Sequence, residues 1–243
     1  MRGFLSHLRA AVPETEVPGP GVLTPIQRPT PYLYSPDEID VLLKAASQLG
    51  PKQSLRPHIY VTLIGLLASS GLRVGEALRL KIEQVRLDAN PPHLQILQTK
   101  FRKSRIVPLH PTTAEKMFLY AGERKRLRYD ALSDAFFVSE QGGHLSYRAC
   151  RETFVGLVRH VGIQKHPSGG PPGMHALRHR FAVSRMVEWY RAGMSVKALL
   201  PNLAVYLGHV QPAHTYWYLT ATPELLGAAA ESFQQYAGQG GEP

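Results

Sequence analysis

The sequence has almost no cysteine and no hydrophobic run long enough to span a membrane. Cys150 is the single cysteine among 243 residues, so an intrachain disulfide is excluded. Nothing therefore indicates an oxidising compartment, and we expect a cytoplasmic protein. The longest apolar stretch, Ile59 to Ala68, contains Thr62 and Gly65 and is far shorter than the roughly 20 residues of a transmembrane helix. We therefore expect no membrane contact, and basic residues interrupt the first apolar run, which argues against a signal peptide.

Acidic residues are also scarce. The chain has 28 Lys and Arg against 18 Asp and Glu, a formal net charge of +10, and 11 further His. Those histidines add positive charge in an anionic environment. The charge balance favours an acidic polymer such as nucleic acid as the partner, although basic surfaces also serve solubility.

The front of the chain predicts a linker followed by one folded domain. The stretch from Pro13 to Pro31 is rich in Pro and Gly without a sustained period, which is typical of an extended linker. The domain is expected to begin near Tyr34. Ser35 precedes Pro, Asp and Glu, and this order is typical of a capped helix start.

The rest of the pattern predicts a mainly α fold with a small antiparallel β-sheet. Residues 57–69 are apolar on several faces, which predicts a core helix that breaks at Gly71, and another helix begins just after Arg73. Short apolar or β-branched runs predict strands at 85–87, 94–97 and 106–109. Residues 136–138 are either a short buried strand or a loop. Further helix starts are predicted near Pro111, Ser146, His175, Ser195, Pro212 and Pro223.

An arginine lies at the predicted turn between two helices, in the segment Gly-Leu-Arg-Val-Gly-Glu at 71–76. Near a helix N-terminus, the Arg73 side chain is well placed to bind a phosphate oxygen. The alternative is a surface arginine paired with Glu76, three residues on, and this segment alone favours that alternative.

A basic cluster, Thr-Lys-Phe-Arg-Lys-Ser-Arg at 99–105, falls at the predicted hairpin tip between the second and third strands. Lys100 in this position can protonate a leaving 5′ oxygen if neighbouring arginines lower its pKa. The alternative is a solvated basic turn that only contacts the backbone of nucleic acid.

His175 and Arg178 share one face of a helix in the segment Met-His-Ala-Leu-Arg-His-Arg-Phe at 174–181. The pair offers a bidentate cation for a phosphate beside an imidazole that can transfer a proton. His175 and His179 also have the four-residue spacing of a metal-binding helix. No Glu follows His175 as in zinc proteases, so we expect no metal.

A tyrosine follows the end of another predicted helix at short range. Leu-Gly-His at 207–209 ends that helix sharply, and Tyr218 lies nine residues after His209. One short helix would separate the two side chains, close enough for them to share a site. Taken alone, this Tyr and Trp cluster favours the alternative of simple packing.

In order and spacing, the four segments resemble the tyrosine recombinase, or phage integrase, family from about Ser35 to Phe233. That family has a Gly-Leu-Arg-x-x-Glu segment, a hairpin Lys before Arg-x-Val-Pro-Leu, a His-x-Leu-Arg-His signature, and a Leu-Gly-His segment with a Tyr nine positions after the His. The matched catalytic positions are Arg73, Lys100, His175, Arg178, His209 and Tyr218.

The resemblance implies a metal-free transesterification on double-stranded DNA that needs no cofactor. Tyr218 attacks a scissile phosphate and leaves a 3′-phosphotyrosine and a free 5′ hydroxyl. Arg73 and Arg178 neutralise the charge of the transition state. The other implied roles are a hydrogen bond from His209 to the phosphate, proton transfer between His175 and Tyr218, and protonation of the leaving oxygen by Lys100. The candidate DNA contacts around these positions are Arg102, Lys103, Arg105, His179 and Arg180.

Tyr216 is the nearest rival nucleophile. Two residues turn a helix by roughly 200°, so Tyr216 and Tyr218 cannot both face the phosphate. The family spacing favours Tyr218.

Apolar residues recur at helical spacing after Pro223, and in relatives the terminal helix often docks on a neighbouring protomer. The resemblance therefore implies a homotetramer on paired DNA sites, assembled through the helix at 223–236. Packing of this helix within its own chain is the alternative.

The front of the chain departs from the family, because full-length relatives carry a helical core-binding domain before the catalytic one. We expect residues 1–33 to be a remnant of that domain plus the linker, and residues 34–243 to be the catalytic domain. Two other functions stay open: DNA relaxation in the manner of a type IB topoisomerase, and a non-catalytic DNA-binding remnant.

Overall fold

The fold is mainly helical with one small sheet, as predicted. The computed structural model describes residues 2–19, 31–51, 53–97, 104–163, 171–209, 215 and 224–231. Its helices are α1 (Arg2–Leu8), α2 (Pro36–Ser47), α3 (Arg56–Ser70), α4 (Val74–Leu78), α5 (Pro111–Arg126), α6 (Tyr147–His160), α7 (His175–Arg191) and α8 (Val196–Leu207). Residues 224–231 are also helical, and short 3-10 turns lie at Ile82–Gln84 and Tyr129–Ala131.

The sheet has three antiparallel strands in sequence order: β1 (Val85–Arg86), β2 (His93–Ile96) and β3 (Arg105–Pro108). The three predicted strands are confirmed to within one or two residues. Of the predicted hairpin tip at 99–105, residues 99–103 lie outside the described residues. Residues 136–138 are a buried loop that makes one isolated bridge, from Val138 to His144, rather than a strand of this sheet.

The helix starts follow the capping residues that the sequence contains. The Ser35 hydroxyl accepts a hydrogen bond from the Glu38 backbone N–H at 3.1 Å, and the Glu38 carboxylate accepts one from the Ser35 N–H at 2.8 Å. This reciprocal capping box satisfies two N–H groups that the first turn of α2 leaves unpaired. Ser146 and Ser195 cap α6 and α8 in the same way through one hydrogen bond each. The helix start predicted near Pro212 lies outside the described residues.

The core is built around α3, the helix that is apolar on all sides. Its buried side chains include Leu63, Leu66 and Leu67, each no more than 1 % exposed. The helix packs against α2, α5 and α7. A helix that is apolar all round is stable only when other elements cover it, so α3 fixes the positions of the elements that carry the site.

A second apolar cluster joins α7, α8 and the helical residues 224–231. Met186 on α7 and Leu200 on α8 are fully buried, and Leu225 is 1 % exposed against them. The described part of the terminal helix therefore packs within its own chain. Docking on a neighbouring protomer remains a prediction for an assembly on DNA.

Tyr34, where the domain was expected to begin, is fully buried. Its hydroxyl donates to the carbonyl oxygen of Pro172 at 2.8 Å, three residues before α7 begins. Its ring also meets that of Phe154 edge to face, with the centroids 6.2 Å apart. The start of the domain and the entry to α7 thus share one anchor. None of the described helices combines the length and the hydrophobicity needed to cross a membrane.

Gly71 ends α3 in the left-handed conformation, with φ 61°. A Cβ atom built there would lie 2.4 Å from Cδ1 of Phe181, whose ring is stacked on Tyr206. Any side chain at residue 71 therefore has an unfavourable φ and no space. This turn is the point at which the core helix passes into the segment that carries Arg73.

We expect Gly71→Ala to lower the free energy of unfolding by about 2–4 kcal/mol, because a positive φ and an overpacked contact each cost about 1–2 kcal/mol. The control is Gly65→Ala in the interior of α3, where a Cβ atom meets nothing within 4 Å. That substitution should raise stability by about 0.5–1 kcal/mol. Urea unfolding measures both, and equal stability of the two variants would contradict the assignment of Gly71.

Candidate active site

The site is organised by the C-terminal end of α8. Gly208 ends the helix with φ 68°, its N–H donates to Val205, and the N–H of His209 donates to Ala204 at 2.8 Å. This is a Schellman motif, which satisfies the carbonyls of the preceding turn and leaves the last three pointing outward.

Three arginines bind these three successive carbonyl oxygens. They come from β3, α7 and the N-terminal end of α4, which are distant in sequence. The bonds run from Arg105 Nε to Tyr206 at 2.8 Å, from Arg178 Nη2 to Leu207 at 2.7 Å, and from Arg73 Nη2 to Gly208 at 2.8 Å. Cations are favoured at a helix C-terminus, where the carbonyl dipoles accumulate negative charge.

Arg73 has the position that the sequence predicted, directly before α4. Its backbone N–H donates to Glu76 Oε2 at 3.1 Å and its Nη1 to Glu76 Oε1 at 3.0 Å. The pairing with Glu76 that was the alternative interpretation is therefore present as well. Because 38 % of the Arg73 side chain stays exposed, the ion pair does not remove Arg73 from the surface.

Arg178 is the deepest cation of the site, with 2 % exposure. In addition to Leu207 it binds the carbonyl oxygen of Gly71, to which its Nη1 donates at 2.7 Å. The turn at Gly71 thus supplies a backbone acceptor to one catalytic candidate and leads directly to the other, Arg73.

Glu76 is buried between two arginines, with 3 % of its side chain exposed. Burial alone would raise the pKa of this carboxyl, but the hydrogen bonds and charges of Arg105 and Arg73 outweigh it and lower the pKa. Glu76 is therefore an ionised carboxylate at neutral pH, and it offsets part of the positive charge of the cluster.

His175 and His179 lie one turn apart on α7, with their rings edge to face and the centroids 4.5 Å apart. The pKa of His175 is lowered by partial burial and by the positive charges of Arg178 and Arg73. Burial, then the neighbouring His175 and Arg178, lowers the pKa of His179 to about 3. Within the described residues no third His, Cys, Asp or Glu joins them in a metal-binding group.

His209 follows the Schellman turn directly. Its Nδ1 forms a hydrogen bond with Oγ1 of Thr215 at 2.7 Å, and Thr215 is 1 % exposed. The contact fixes the imidazole from its Nδ1 side. His209 is therefore oriented at the same helix end that holds the three arginines.

The structure does not gather every predicted residue at this helix end. Arg180 lies on α7 but forms an ion pair with Glu224 of the terminal helix, at 2.9 Å. Arg105, predicted as a DNA contact, is 11 % exposed and binds Glu76 and the Tyr206 carbonyl instead. The predicted positions Lys100, Arg102, Lys103 and Tyr218, and the rival Tyr216, lie outside the described residues.

Two features of the site were not predicted from the sequence: the central carboxylate and the inward arginine. The sequence indicates Glu76 only as a surface partner of Arg73. The signal for Arg105 was the strand alternation, because residues two apart face the same side of a sheet and Val107 is fully buried. An arginine at that position points inward and requires a buried partner.

A family model described as the phage integrase family matches residues 33–224, about four-fifths of the chain. The chain belongs to the phage integrase family. Among its relatives is the integrase/recombinase y4rB of Sinorhizobium fredii, which is 39 % identical over 241 residues, 97 % of this chain and 76 % of that protein. A second, y4rE of the same organism, is 41 % identical over 84 % of this chain and 64 % of its own length. The tyrosine recombinase XerC of Chlamydia pneumoniae is 25 % identical over 88 % of this chain and 61 % of its own length.

Solved structures agree with this assignment. The crystal structure of XerA recombinase superposes with a TM-score of 0.66 and 26 % identity, over 97 % of this chain and 74 % of that one. The integrase of transposon Tn1549 shares the fold, with a TM-score of 0.66 and 16 % identity. The match covers 97 % of the present chain and 77 % of the Tn1549 integrase chain. The predicted family, fold class and enzyme class, a DNA strand-transferring recombinase, are confirmed at the level of the family.

The half-buried His179 predicts a pH-dependent stability. Because the pKa of folded His179 is about 3 and that of the unfolded residue about 6.5, the unfolded chain binds the extra proton between these values. The stability from neutral His179 is complete above pH 6.5 and is lost as the pH falls toward 3. At pH 5 the loss is about 2 kcal/mol.

We expect His179→Asn to reduce the fall of Tm between pH 7 and pH 5 by about 4–8 °C relative to the unsubstituted protein. The same substitution at the solvent-exposed His58 provides the matched control. Calorimetry at the two pH values measures the difference. Parallel pH profiles for the parent and the His179 variant would contradict the prediction.

Proposed function

We propose that this chain is a site-specific recombinase that cleaves and rejoins double-stranded DNA through a covalent link to Tyr218. The observation that supports this most directly is the convergence of Arg73, Arg178 and His209 on one helix end in a phage integrase family member. Cations that are fixed before the substrate arrives stabilise developing phosphate charge without reorganisation in the transition state.

The proposed reaction exchanges one phosphodiester bond for another. The phenolate oxygen of Tyr218 forms a bond to phosphorus while the bond from phosphorus to the 5′ oxygen breaks, which gives a 3′-phosphotyrosine. The leaving oxygen takes a proton from Lys100 and becomes a 5′ hydroxyl. A 5′ hydroxyl from a second strand reverses these steps, so the bond energy is conserved and ATP is not required.

The proton of Tyr218 needs an acceptor because an unperturbed phenol has a pKa of about 10. His175 suits this role, since its lowered pKa keeps the imidazole neutral at neutral pH. Arg73 and Arg178 neutralise the non-bridging oxygens, and His209 donates a hydrogen bond to the same phosphate. Arg73, with 38 % of its side chain exposed, is the arginine of this cluster that the DNA backbone contacts from solvent.

The partner proposed for this surface is double-stranded DNA, in line with the net charge of +10. Of the structural neighbours, XerH is seen with its difH substrate before and after cleavage. We propose the same class of ligand here, in the bacterial cytoplasm, with Arg102 and Lys103 as further backbone contacts. Since the chain spans 61–76 % of the lengths of the relatives described above, these statements concern the catalytic domain.

We expect Tyr218→Phe to abolish covalent protein–DNA adducts, whereas Tyr216→Phe retains them. Each variant is incubated with randomly nicked genomic DNA, and covalent complexes are precipitated with potassium dodecyl sulfate. Sequencing of the DNA ends bound to the protein then identifies the trapped site. Where a nick lies close to the cleavage point, the short fragment that carries the new 5′ hydroxyl dissociates. Religation is then prevented and the covalent intermediate accumulates. Adducts with Tyr218→Phe but not with Tyr216→Phe would move the nucleophile to residue 216.

The unsubstituted protein also distinguishes the recombinase from the two other functions that the sequence leaves open. A non-catalytic DNA-binding remnant gives no adduct with the unsubstituted protein. A topoisomerase relaxes a supercoiled plasmid that lacks the trapped site, which a site-specific recombinase does not.

A homotetramer on paired sites is proposed through the terminal helix at 223–236. Removal of the residues after Leu219 should leave binding to a single site intact but abolish the paired-site complex in a gel-shift assay. Because Leu225 also covers the α7–α8 cluster, the control is Leu225→Ala in the full chain, which tests whether loss of this packing alone explains the result. Paired-site assembly that survives the truncation contradicts docking in trans.

A further inference from the structure

The end of α8 is held by one arginine that has no part in the proposed chemistry. Arg105 is the first residue of β3, and its side chain reaches the Tyr206 carbonyl and the Glu76 carboxylate. It accounts for one of the three carbonyl bonds at the helix end. The other two belong to Arg73 and Arg178, whose charges are proposed to neutralise the scissile phosphate.

The surroundings of Arg105 do not suit a DNA contact. Only 11 % of its side chain is exposed, and it lies on the same side of β3 as the fully buried Val107. Its Nη1 and Nη2 donate to Glu76 at 3.1 and 2.8 Å, and its Nε donates to Tyr206. A bidentate pair of this geometry is directional, and a lysine cannot reproduce it.

Glu76 connects Arg105 to Arg73. Each of its carboxylate oxygens accepts one bond from each arginine: Oε1 from Arg73 Nη1 and Arg105 Nη1, and Oε2 from the Arg73 backbone and Arg105 Nη2. Both oxygens are thereby occupied and the carboxylate has a single orientation. Because Arg105 fixes two of the four bonds, it determines where Glu76 holds the Arg73 guanidinium.

Gly208 shows how tightly this arrangement is packed. A Cβ atom there would lie 2.8 Å from Arg105 Nη1 and 3.3 Å from Arg73 Nη1. Both guanidinium groups therefore pack directly against the backbone of the turn that leads into His209. A shift of Arg105 displaces the turn as well as Glu76.

We infer that Arg105 is a positioning residue for strand cleavage, which through Glu76 and the α8 terminus sets the relative positions of Arg73 and His209. This inference rests on the proposed function. It predicts an effect on the chemical step rather than on DNA affinity, because Arg105 touches the groups that bind the phosphate and not the phosphate itself. Small displacements of such groups reduce the rate by about 100-fold.

The test compares Arg105→Lys, Glu76→Gln and the double variant. Arg148→Lys serves as the matched control, since Arg148 also pairs with a glutamate but is 89 % exposed on α6. Single-turnover cleavage at saturating DNA is measured on a nicked duplex that carries the trapped site. DNA affinity is measured at several salt concentrations, and thermal unfolding is measured for all variants.

The expected result has three parts. Arg105→Lys and Glu76→Gln each slow cleavage by about 100-fold, and the double variant is no slower than the worse single variant, because both act through one contact. The DNA dissociation constant of Arg105→Lys changes less than about threefold with an unchanged salt slope, whereas a lost phosphate contact reduces that slope by about one. Arg148→Lys behaves like the parent.

Cleavage by Arg105→Lys at the parental rate overturns the inference, and so does weaker DNA binding with a reduced salt slope. Multiplying effects in the double variant also overturn it. If the parent itself forms no adduct, the proposed function fails and the role of Arg105 in cleavage fails with it, while the unfolding data still decide whether Arg105 and Glu76 act as one contact. Non-additive losses of Tm for Arg105→Lys and Glu76→Gln with an unchanged salt slope then support the assigned position, whereas additive losses reject it.

Discussion

The three carbonyl oxygens at the end of α8 are the constraint on which the rest of the site depends. A helix leaves its last carbonyls without internal partners, and here the Schellman turn at Gly208 satisfies only the earlier ones. The remaining carbonyl oxygens accept hydrogen bonds from arginines on three elements that are distant in sequence. The helix end thus determines where cations can collect, and His209 is the next residue in the chain.

The charge of this cluster is only partly balanced by the protein. Three arginines share the helix end with one carboxylate, Glu76, which binds two of them, and the helix dipole supplies a further partial negative charge of about half a unit. The positive charges of the arginines repel one another, which costs free energy in the folded state. The hydrogen bonds to the carbonyls and to the carboxylate offset that cost. The net positive charge that remains is offset in part by a phosphate diester, and the site is therefore complementary to an anion before DNA arrives.

Most of the fold could be predicted from the sequence because its signals are local. Ser35, Ser146 and Ser195 mark the starts of helices through their own hydroxyls, and the apolar α3 could only be a core helix. The predicted strands follow the alternation of short apolar runs. These predictions need no knowledge of which elements meet in space.

The site was predicted as a list of positions rather than as an arrangement. Arg73, His175, Arg178 and His209 were identified by motif, but which backbone atoms they bind depends on tertiary packing. The basic residues around Arg105 in the sequence predict a DNA contact, whereas the alternation with Val107 turns its side chain inward. Its partner Glu76 is 29 residues away, a separation that periodicity cannot detect.

The hydrogen bond from Tyr34 to Pro172 has a mechanical consequence. It joins the first buried residue after the linker to the loop that leads into α7, the helix that carries His175 and Arg178. A change in the position of Tyr34 therefore acts directly on the segment that leads into α7. One hydrogen bond links the start of the folded domain to the helix on which two of the proposed catalytic residues lie.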